Sequence, residues 1–229
     1  MKTSAFAGFS PQTFQFFAEL EMHNYKAWFE EHKPVYEQQV MQPLKALATA
    51  LTPFFASVDS QMDLRLQKIV SRIYRDIRFS KDKTPYKSQL WLSFQRPFAS
   101  KDTAWLSFPG FYMEINKTGI NYGMGLYAPQ KKIMDRFREI VEYDPQHFKT
   151  IVADLPTRHG FQLGGESYQR PLKNDLDNWF QTWIQRRGIY LYKHRQLNDR
   201  MYSTALLSDL EKEFALLQPL YDFFVEVCD

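Results

Sequence analysis

Residues 111–127, FYMEINKTGINYGMGLY, alternate apolar and polar side chains on both sides of a short turn. Alternation with a period of two is typical of a strand that has one buried face. Residues 116–119 form the predicted turn, because Gly119 can adopt the positive φ that a tight hairpin needs. The sequence therefore predicts two antiparallel strands, Phe111–Ile115 and Ile120–Tyr127.

The pairing of these strands decides which side chains share a face. If Ile115 pairs with Ile120, the apolar side chains lie on one side of the hairpin and the polar ones on the other. The polar face then holds Tyr112, Glu114, Asn121, Gly123, Gly125 and Tyr127. A slip of one residue would reverse both faces. Glycines within a strand mark a close approach of a ligand or of another backbone, or else a bulge or a packed helix.

The segments around the hairpin complete the predicted fold. Residues 86–94 alternate like a strand, and Trp105–Phe108 gives a further strand signal. Helical patterns fill residues 10–55, where Ser10 is the expected N-cap and Pro34 and Pro43 are expected to break or restart the helix. We predict an α+β fold in one domain, residues 1–229, with a central antiparallel sheet flanked by N-terminal and C-terminal helices. The segments are helical 10–55, sheet-rich 70–127 and helical 129–229, where Ile189–Tyr192 forms a short strand.

Composition excludes several classes of protein. No apolar run approaches the roughly 18 residues of a membrane span, and the first residues lack the apolar core of a signal peptide, so we expect a cytoplasmic protein without a membrane partner. Cys228 is the single cysteine, and the five histidines form no metal-binding spacing. We therefore expect no metal site and no cofactor.

Charge is concentrated in residues 72–87, RIYRDIRFSKDKTPYK. Six cations less two anions give this run +4, whereas the whole chain carries +3. On a helix its three arginines would cluster, and on an extended chain Arg72 and Arg78 would face away from Arg75; the sequence leaves both open. Arginine and lysine together suit a phosphate or carboxylate.

The same run resembles the hallmark stretch of the domain of unknown function 2461 family, conserved hypothetical proteins of bacteria and fungi. Further similar pieces are residues 24–29, NYKAWF, with His32, Lys33 and Tyr36; residues 109–112, PGFY; residues 123–127, GMGLY; and the closing Pro219-Leu220 with Phe223. The resemblance covers nearly the whole chain. It implies a fold family and no reaction.

The candidate site joins the basic run to the polar face of the hairpin. At least two cations of the basic run are expected to converge with Tyr112, Glu114 and Tyr127 in a pocket that binds an anionic small molecule. Catalysis of a reaction in the same pocket is left open. Its ligand-binding candidates are Arg72, Arg75, Asp76, Arg78, Lys81, Lys83, Tyr86, Lys87, Tyr112 and Tyr127. Glu114 and His32 are the candidates for an acid or base.

Two other function classes stay open at this point. A nucleic-acid-binding module would need its cations spread over an exposed stripe, and the low net charge predicts weak, salt-sensitive binding at most. A structural or protein-interaction domain would pair the cations internally with Asp76, Asp82 and nearby acids. The sequence does not specify an oligomeric state.

Overall fold

Five strands form one antiparallel sheet in the order β1-β2-β3-β5-β4, as a computed structural model of the chain shows. The structure describes residues 5–78, 80–97, 108–172 and 175–229. The strands are β1 (Gln89–Gln95), β2 (Gly110–Asn116), β3 (Gly119–Leu126), β4 (Gln162–Gly164) and β5 (Ile189–Gln196). The predicted α+β class and antiparallel sheet are confirmed. Residues 105–107 of the predicted strand at Trp105–Phe108 lie outside the described residues.

Helices precede and follow the first three strands. They are α1 (Pro11–Met22), α2 (Lys26–Val35), α3 (Gln42–Val58), α4 (Leu66–Ile69), α5 (Lys131–Tyr143), α6 (Pro145–Val152), α7 (Asp154–Thr157), α8 (Asn178–Ile184) and α9 (Ala205–Cys228). A π-helix, Tyr36–Met41, joins α2 to α3, and a 3₁₀ helix covers Asp199–Tyr202. The segment predicted as helical 129–229 also supplies β4 and the full length of β5, twice as long as the short strand expected at Ile189–Tyr192.

The chain divides into two compact units. The first comprises residues 1–94, 112–121 and 194–213, and the second comprises residues 95–111, 122–193 and 214–229. In the first unit, the ring of Phe55 from α3 stacks on Phe94 of β1 with the centroids 3.9 Å apart. In the second, Phe214 of α9 meets Phe111 of β2 edge to face at 5.6 Å. Helices thus cover the apolar side of strands in each unit.

Burial alternates along β2 as predicted, whereas β3 is buried at every position except Asn121. Phe111, Met113 and Ile115 of β2 are buried, and the intervening residues of β2 are half-buried. In β3, Ile120, Tyr122 and Met124 are buried as predicted. The register that places Glu114 and Asn121 on the polar side therefore agrees with the burial of both strands.

The helical segment from α2 to α3 continues through both prolines, so the expected break is absent, whereas the position of Pro43 agrees with the expected restart. Pro34 lies inside α2, and Pro43 lies in the first turn of α3. Proline at position 43 cannot donate to the carbonyl of Gln39, four residues earlier. The buried hydroxyl of Thr13 donates to that oxygen instead. A hydroxyl from α1 thus satisfies the carbonyl and lets the helix continue.

Gly125 of β3 lies against the backbone of β5. A Cβ atom at this position would lie 2.3 Å from the Ile189 carbonyl oxygen and 2.4 Å from Tyr190 Cα. Gly123 has the same relation to Leu191. The glycines of the hairpin therefore mark the close approach of another backbone, which is one of the alternatives that the sequence left open.

Asp209 of α9 is the centre of an ion-pair cluster in the first unit. Its carboxylate accepts hydrogen bonds from Arg195 at 2.6 Å and from Arg200 at 2.6 and 2.5 Å. The side chains of Asp209 and Arg195 are 14% and 21% exposed, so solvent screens this pair less than an ordinary surface pair. The hydrogen bonds from Arg200 and then Arg195 lower the pKa of Asp209 to about 2.

Substituting this carboxylate should remove a pH-dependent part of the stability. We expect Asp209→Asn to lower the free energy of unfolding at pH 7 by about 1–2 kcal/mol, a value discounted for solvent screening. A carboxyl group whose pKa is lowered by folding stabilises fully above about pH 4 and loses that effect as the pH falls toward 2. Urea denaturation at pH 7, 4 and 2.5 should therefore show the difference between wild type and variant shrinking with acid. Asp154→Asn, in the exposed pair with Arg158, is the matched control. A constant difference across this range would contradict the assignment.

Candidate functional site

Residues 70–78 and 80–92 form a two-stranded arm that carries the described part of the basic run. Val70 bridges Leu92 and Tyr74 bridges Tyr86, both antiparallel. Hydrogen bonds from Ser71 N to the Trp91 carbonyl and from Arg75 N to the Pro85 carbonyl, each 2.9 Å, continue the pairing. The run is therefore extended at its start, which decides between the two arrangements left open by the sequence. We call residues 70–78 and 80–92 the basic arm.

Asn24, which precedes α2, fixes the arm to the helices of the first unit. Its side-chain amide donates to the Tyr86 carbonyl at 2.9 Å and accepts from the Tyr86 N–H at 3.0 Å, as a neighbouring strand would. The Tyr86 ring is buried and stacks on Phe29 at 4.1 Å. Tyr86, a predicted ligand-binding residue, is thus a packing residue at the base of the arm.

Two of the predicted site arginines are occupied within the arm. Arg75 forms an ion pair with Asp82 at 3.0 Å and donates to the carbonyls of Thr84 and Tyr86 at 3.1 and 3.2 Å. Arg78 donates through Nε and Nη2 to the two oxygens of Asp76 at 2.9 and 2.7 Å. Arg75 therefore links the two strands of the arm, and Arg78 forms a local pair with Asp76.

The other four cations of the run form no ion pair within the described part of the chain. They are Arg72, Lys81, Lys83 and Lys87. The pKa of Asp76 is lowered by its hydrogen bond with Arg78 and, less strongly, by the charge of Arg72. Lys83 donates to the Ile77 carbonyl at 2.7 Å, and Lys87 donates to the Arg72 carbonyl at 2.9 Å. Since the two arginine pairs cancel, these four account for the whole +4 of the run.

Lys87 is the cation whose contacts reach the sheet. Its ammonium lies 4.2 Å from the centroid of the Trp91 ring on β1, a distance typical of a cation–π contact. Burial, followed by the charges of Arg72 and Arg75, lowers the pKa of Lys87. The larger cause of this shift is loss of hydration, and the smaller one is the positive charge of the two arginines.

Glu114 lies on the polar side of β2 and is held by amide groups. It accepts hydrogen bonds from Gln89 at 3.0 Å, Asn116 at 3.0 Å and Asn121 at 2.9 Å. No arginine or lysine is paired with it among the described residues. Its donors are neutral amides from β1, β2 and β3, and the role of Glu114 as an acid or base stays a prediction.

His194 of β5 extends this chain of hydrogen bonds, although the sequence did not single it out. Its Nδ1 lies 2.8 Å from Oδ1 of Asn121. We call Gln89, Glu114, Asn121 and His194 the amide row, since they lie side by side on β1, β2, β3 and β5. We use "open face" for the side of these strands that carries the row with Trp91 and Tyr112. Alternation from Tyr190 through Tyr192 would have indicated the position of His194.

The remaining candidates, Tyr127 and His32, make contacts with other aromatic rings. Tyr127 belongs to the second unit, where its ring stacks on Tyr190 at 4.5 Å. His32 stacks on Trp28 at 4.0 Å, and its Nδ1 lies 2.9 Å from the Trp28 carbonyl oxygen. These contacts give His32 a packing role within α2. The expected convergence of two or more cations with Tyr112, Glu114 and Tyr127 stays a prediction, with Lys87 as its best-placed member.

The described part of the chain lacks two further features. No helix in it combines the length and apolar character needed to cross a membrane. No group of three or more histidine, cysteine, aspartate or glutamate side chains in it is arranged to hold a metal ion.

A family model described as "Conserved hypothetical protein (DUF2461)" matches residues 12–223 of the 229-residue chain. No curated protein matches the sequence.

Proposed function

Because the chain belongs to the DUF2461 family of conserved hypothetical proteins, whose description gives no activity, we propose a function from the geometry of its first unit. The protein binds an anionic small molecule, through a phosphate or carboxylate group, where the basic arm meets the open face. Lys87 and Arg72 supply the positive charge, and Trp91 supplies an aromatic surface beside it.

The observation that carries this proposal is the environment of Lys87. Its ammonium is partly desolvated over Trp91, and the neighbouring charges are those of two arginines. Like charges held together repel each other unless an anion compensates them. Arg75 already has Asp82, so a ligand anion would compensate Arg72 and Lys87.

A structural role of the arm is the second candidate, and the pairs Arg75–Asp82 and Arg78–Asp76 favour it. Both pairs hold the arm in shape without any ligand. They do not account for the positive charges of Arg72, Lys81, Lys83 and Lys87, which form no ion pair among the described residues. We prefer the binding function for this reason.

Thermal denaturation with inorganic phosphate tests the proposal. A ligand that binds only the folded state raises the stability in proportion to the logarithm of its concentration above Kd. We expect phosphate to raise the midpoint of wild type and to leave that of Lys87→Met nearly unchanged. Sodium chloride at equal ionic strength separates specific binding from general screening.

Lys132→Met is the matched control, since it removes the same charge from an exposed position on α5. This variant should respond to phosphate like wild type. Equal responses of Lys87→Met and Lys132→Met would show that phosphate acts on net charge, and the structural role of the arm would then be the better account.

A further inference from the structure

The orientation of the Asn121 amide is set by Glu114. The side-chain nitrogen of Asn121 lies 2.9 Å from Oε1 of Glu114, and a carboxylate can only accept hydrogen bonds. Rotating the amide by half a turn would place its oxygen against that carboxylate oxygen, so two acceptors would face each other. Asn121 therefore donates to Glu114 and directs Oδ1 toward β5.

The orientation of the Asn121 amide determines which ring nitrogen of His194 carries the hydrogen. An amide oxygen is an acceptor, so the ring nitrogen 2.8 Å from Asn121 Oδ1 must carry a hydrogen. In the neutral imidazole, a hydrogen on Nδ1 leaves the lone pair on Nε2. His194 is exposed, and the described residues offer Nε2 no hydrogen bond. The amide row thus presents a hydrogen-bond acceptor to the solvent side of the sheet.

The amide row also sets the scale of a ligand that would use it. Adjacent strands lie about 4.8 Å apart, so three spacings place its ends roughly 14 Å from each other. Lys87 lies two residues before Gln89, at the β1 end of the row. The half-buried aromatic rings of Trp91 and Tyr112 belong to residues two positions from Gln89 and Glu114 of the amide row. Such rings pack against the C–H faces of a ligand.

We infer that His194 binds a hydroxyl group of the ligand through Nε2, and that the ligand is a hydroxylated anion of the sugar phosphate class. This inference rests on the proposed function, because the anionic group of the same ligand lies at Lys87. The amide row is then a built recognition surface in which Glu114 and Asn121 position the imidazole.

Nitrogen NMR of the histidine side chains tests the positioning without any ligand. At a pH where the imidazole is neutral, wild type should show His194 with hydrogen on Nδ1. Glu114→Leu frees the Asn121 amide to rotate and should shift His194 toward the Nε2–H form that predominates in free histidine. Glu114→Gln keeps an acceptor for Asn121 and should restore the wild-type signal.

His147 is the internal control, since it is exposed and no ring hydrogen bond involves it among the described residues. Its signals should be the same in all three proteins, and circular dichroism separately checks that each variant is folded. A wild-type His194 that carries its hydrogen on Nε2 would overturn the inference, whatever the ligand.

Calorimetric titration with glucose 6-phosphate and with inorganic phosphate tests the ligand class. We expect wild type to bind the sugar phosphate more tightly, and His194→Ala to lose about tenfold in affinity for it, while affinity for inorganic phosphate is unchanged. Lys87→Met should weaken both. Equal binding of the two probes by wild type overturns the hydroxyl assignment and leaves the anion site intact, whereas failure of both probes overturns the proposed function as well.

Discussion

Phe29→Ala is expected to lower the free energy of unfolding by about 3–5 kcal/mol, as is typical when a buried phenyl ring is removed. The ring is fully buried and lies 4.1 Å from Tyr86 and 5.4 Å from Tyr36. Its loss would leave a cavity between α2 and the base of the basic arm. Urea denaturation at neutral pH measures the change.

Phe29→Leu is the matched variant, since leucine refills part of the cavity and should cost less than half as much. Tyr143→Ala serves as the control for removing an aromatic side chain, because Tyr143 is 92% exposed and should change stability by less than about 0.5 kcal/mol. A loss below about 1 kcal/mol for Phe29→Ala would mean that the arm does not depend on this stack.

Gly125→Ala should destabilise the second unit by about 3 kcal/mol or more, because the added methyl group meets the backbone of β5. The nearest atoms are the carbonyl oxygen of Ile189 at 2.3 Å and Cα of Tyr190 at 2.4 Å. Backbone in a paired strand cannot move aside as a side-chain end can, so β3 and β5 would have to separate. Thermal denaturation followed by circular dichroism measures the loss.

Gly160→Ala separates this steric effect from the general cost of replacing glycine. Gly160 has a φ of +70°, and the nearest atom to an added Cβ is 4.0 Å away. Its substitution should cost about 1 kcal/mol through backbone strain alone. If Gly125→Ala costs no more than Gly160→Ala, the close approach of β5 does not limit this position.

The strand faces could be predicted because a period of two follows directly from the geometry of an extended chain. Phe111, Met113 and Ile115 needed no tertiary contact to be assigned to the core. The pattern does not predict strands in which the side chains no longer alternate between apolar and polar. β5 continues through polar residues 193–196 beyond the predicted Tyr192, and three-residue β4 exists through pairs such as Gln162 with Tyr192.

The sequence predicted which charged residues are concentrated in the basic run, but it predicted only part of how they pair in space. Residues 72–87 were identified from charge density, yet the pairing of Arg75 with Asp82 depends on how the arm folds back. His194 was missed because its hydrogen-bond partner, Asn121, lies 73 residues away in the chain. Hydrogen bonds between strands are set by sheet order, which local patterns do not contain.

The π-helix at Tyr36–Met41 has a consequence for the phase of the long helical segment around it. Phe29 and Phe55 are both buried and lie twenty-six residues apart. At about 100° per residue, a regular α-helix would leave their directions roughly 80° apart around the axis. A π turn takes up about one additional residue, which reduces the difference to roughly 20°. The wide turn therefore rotates the side-chain directions by about one residue, so that the aromatic residues of α2 and the apolar residues of α3 face the same side of the helical segment.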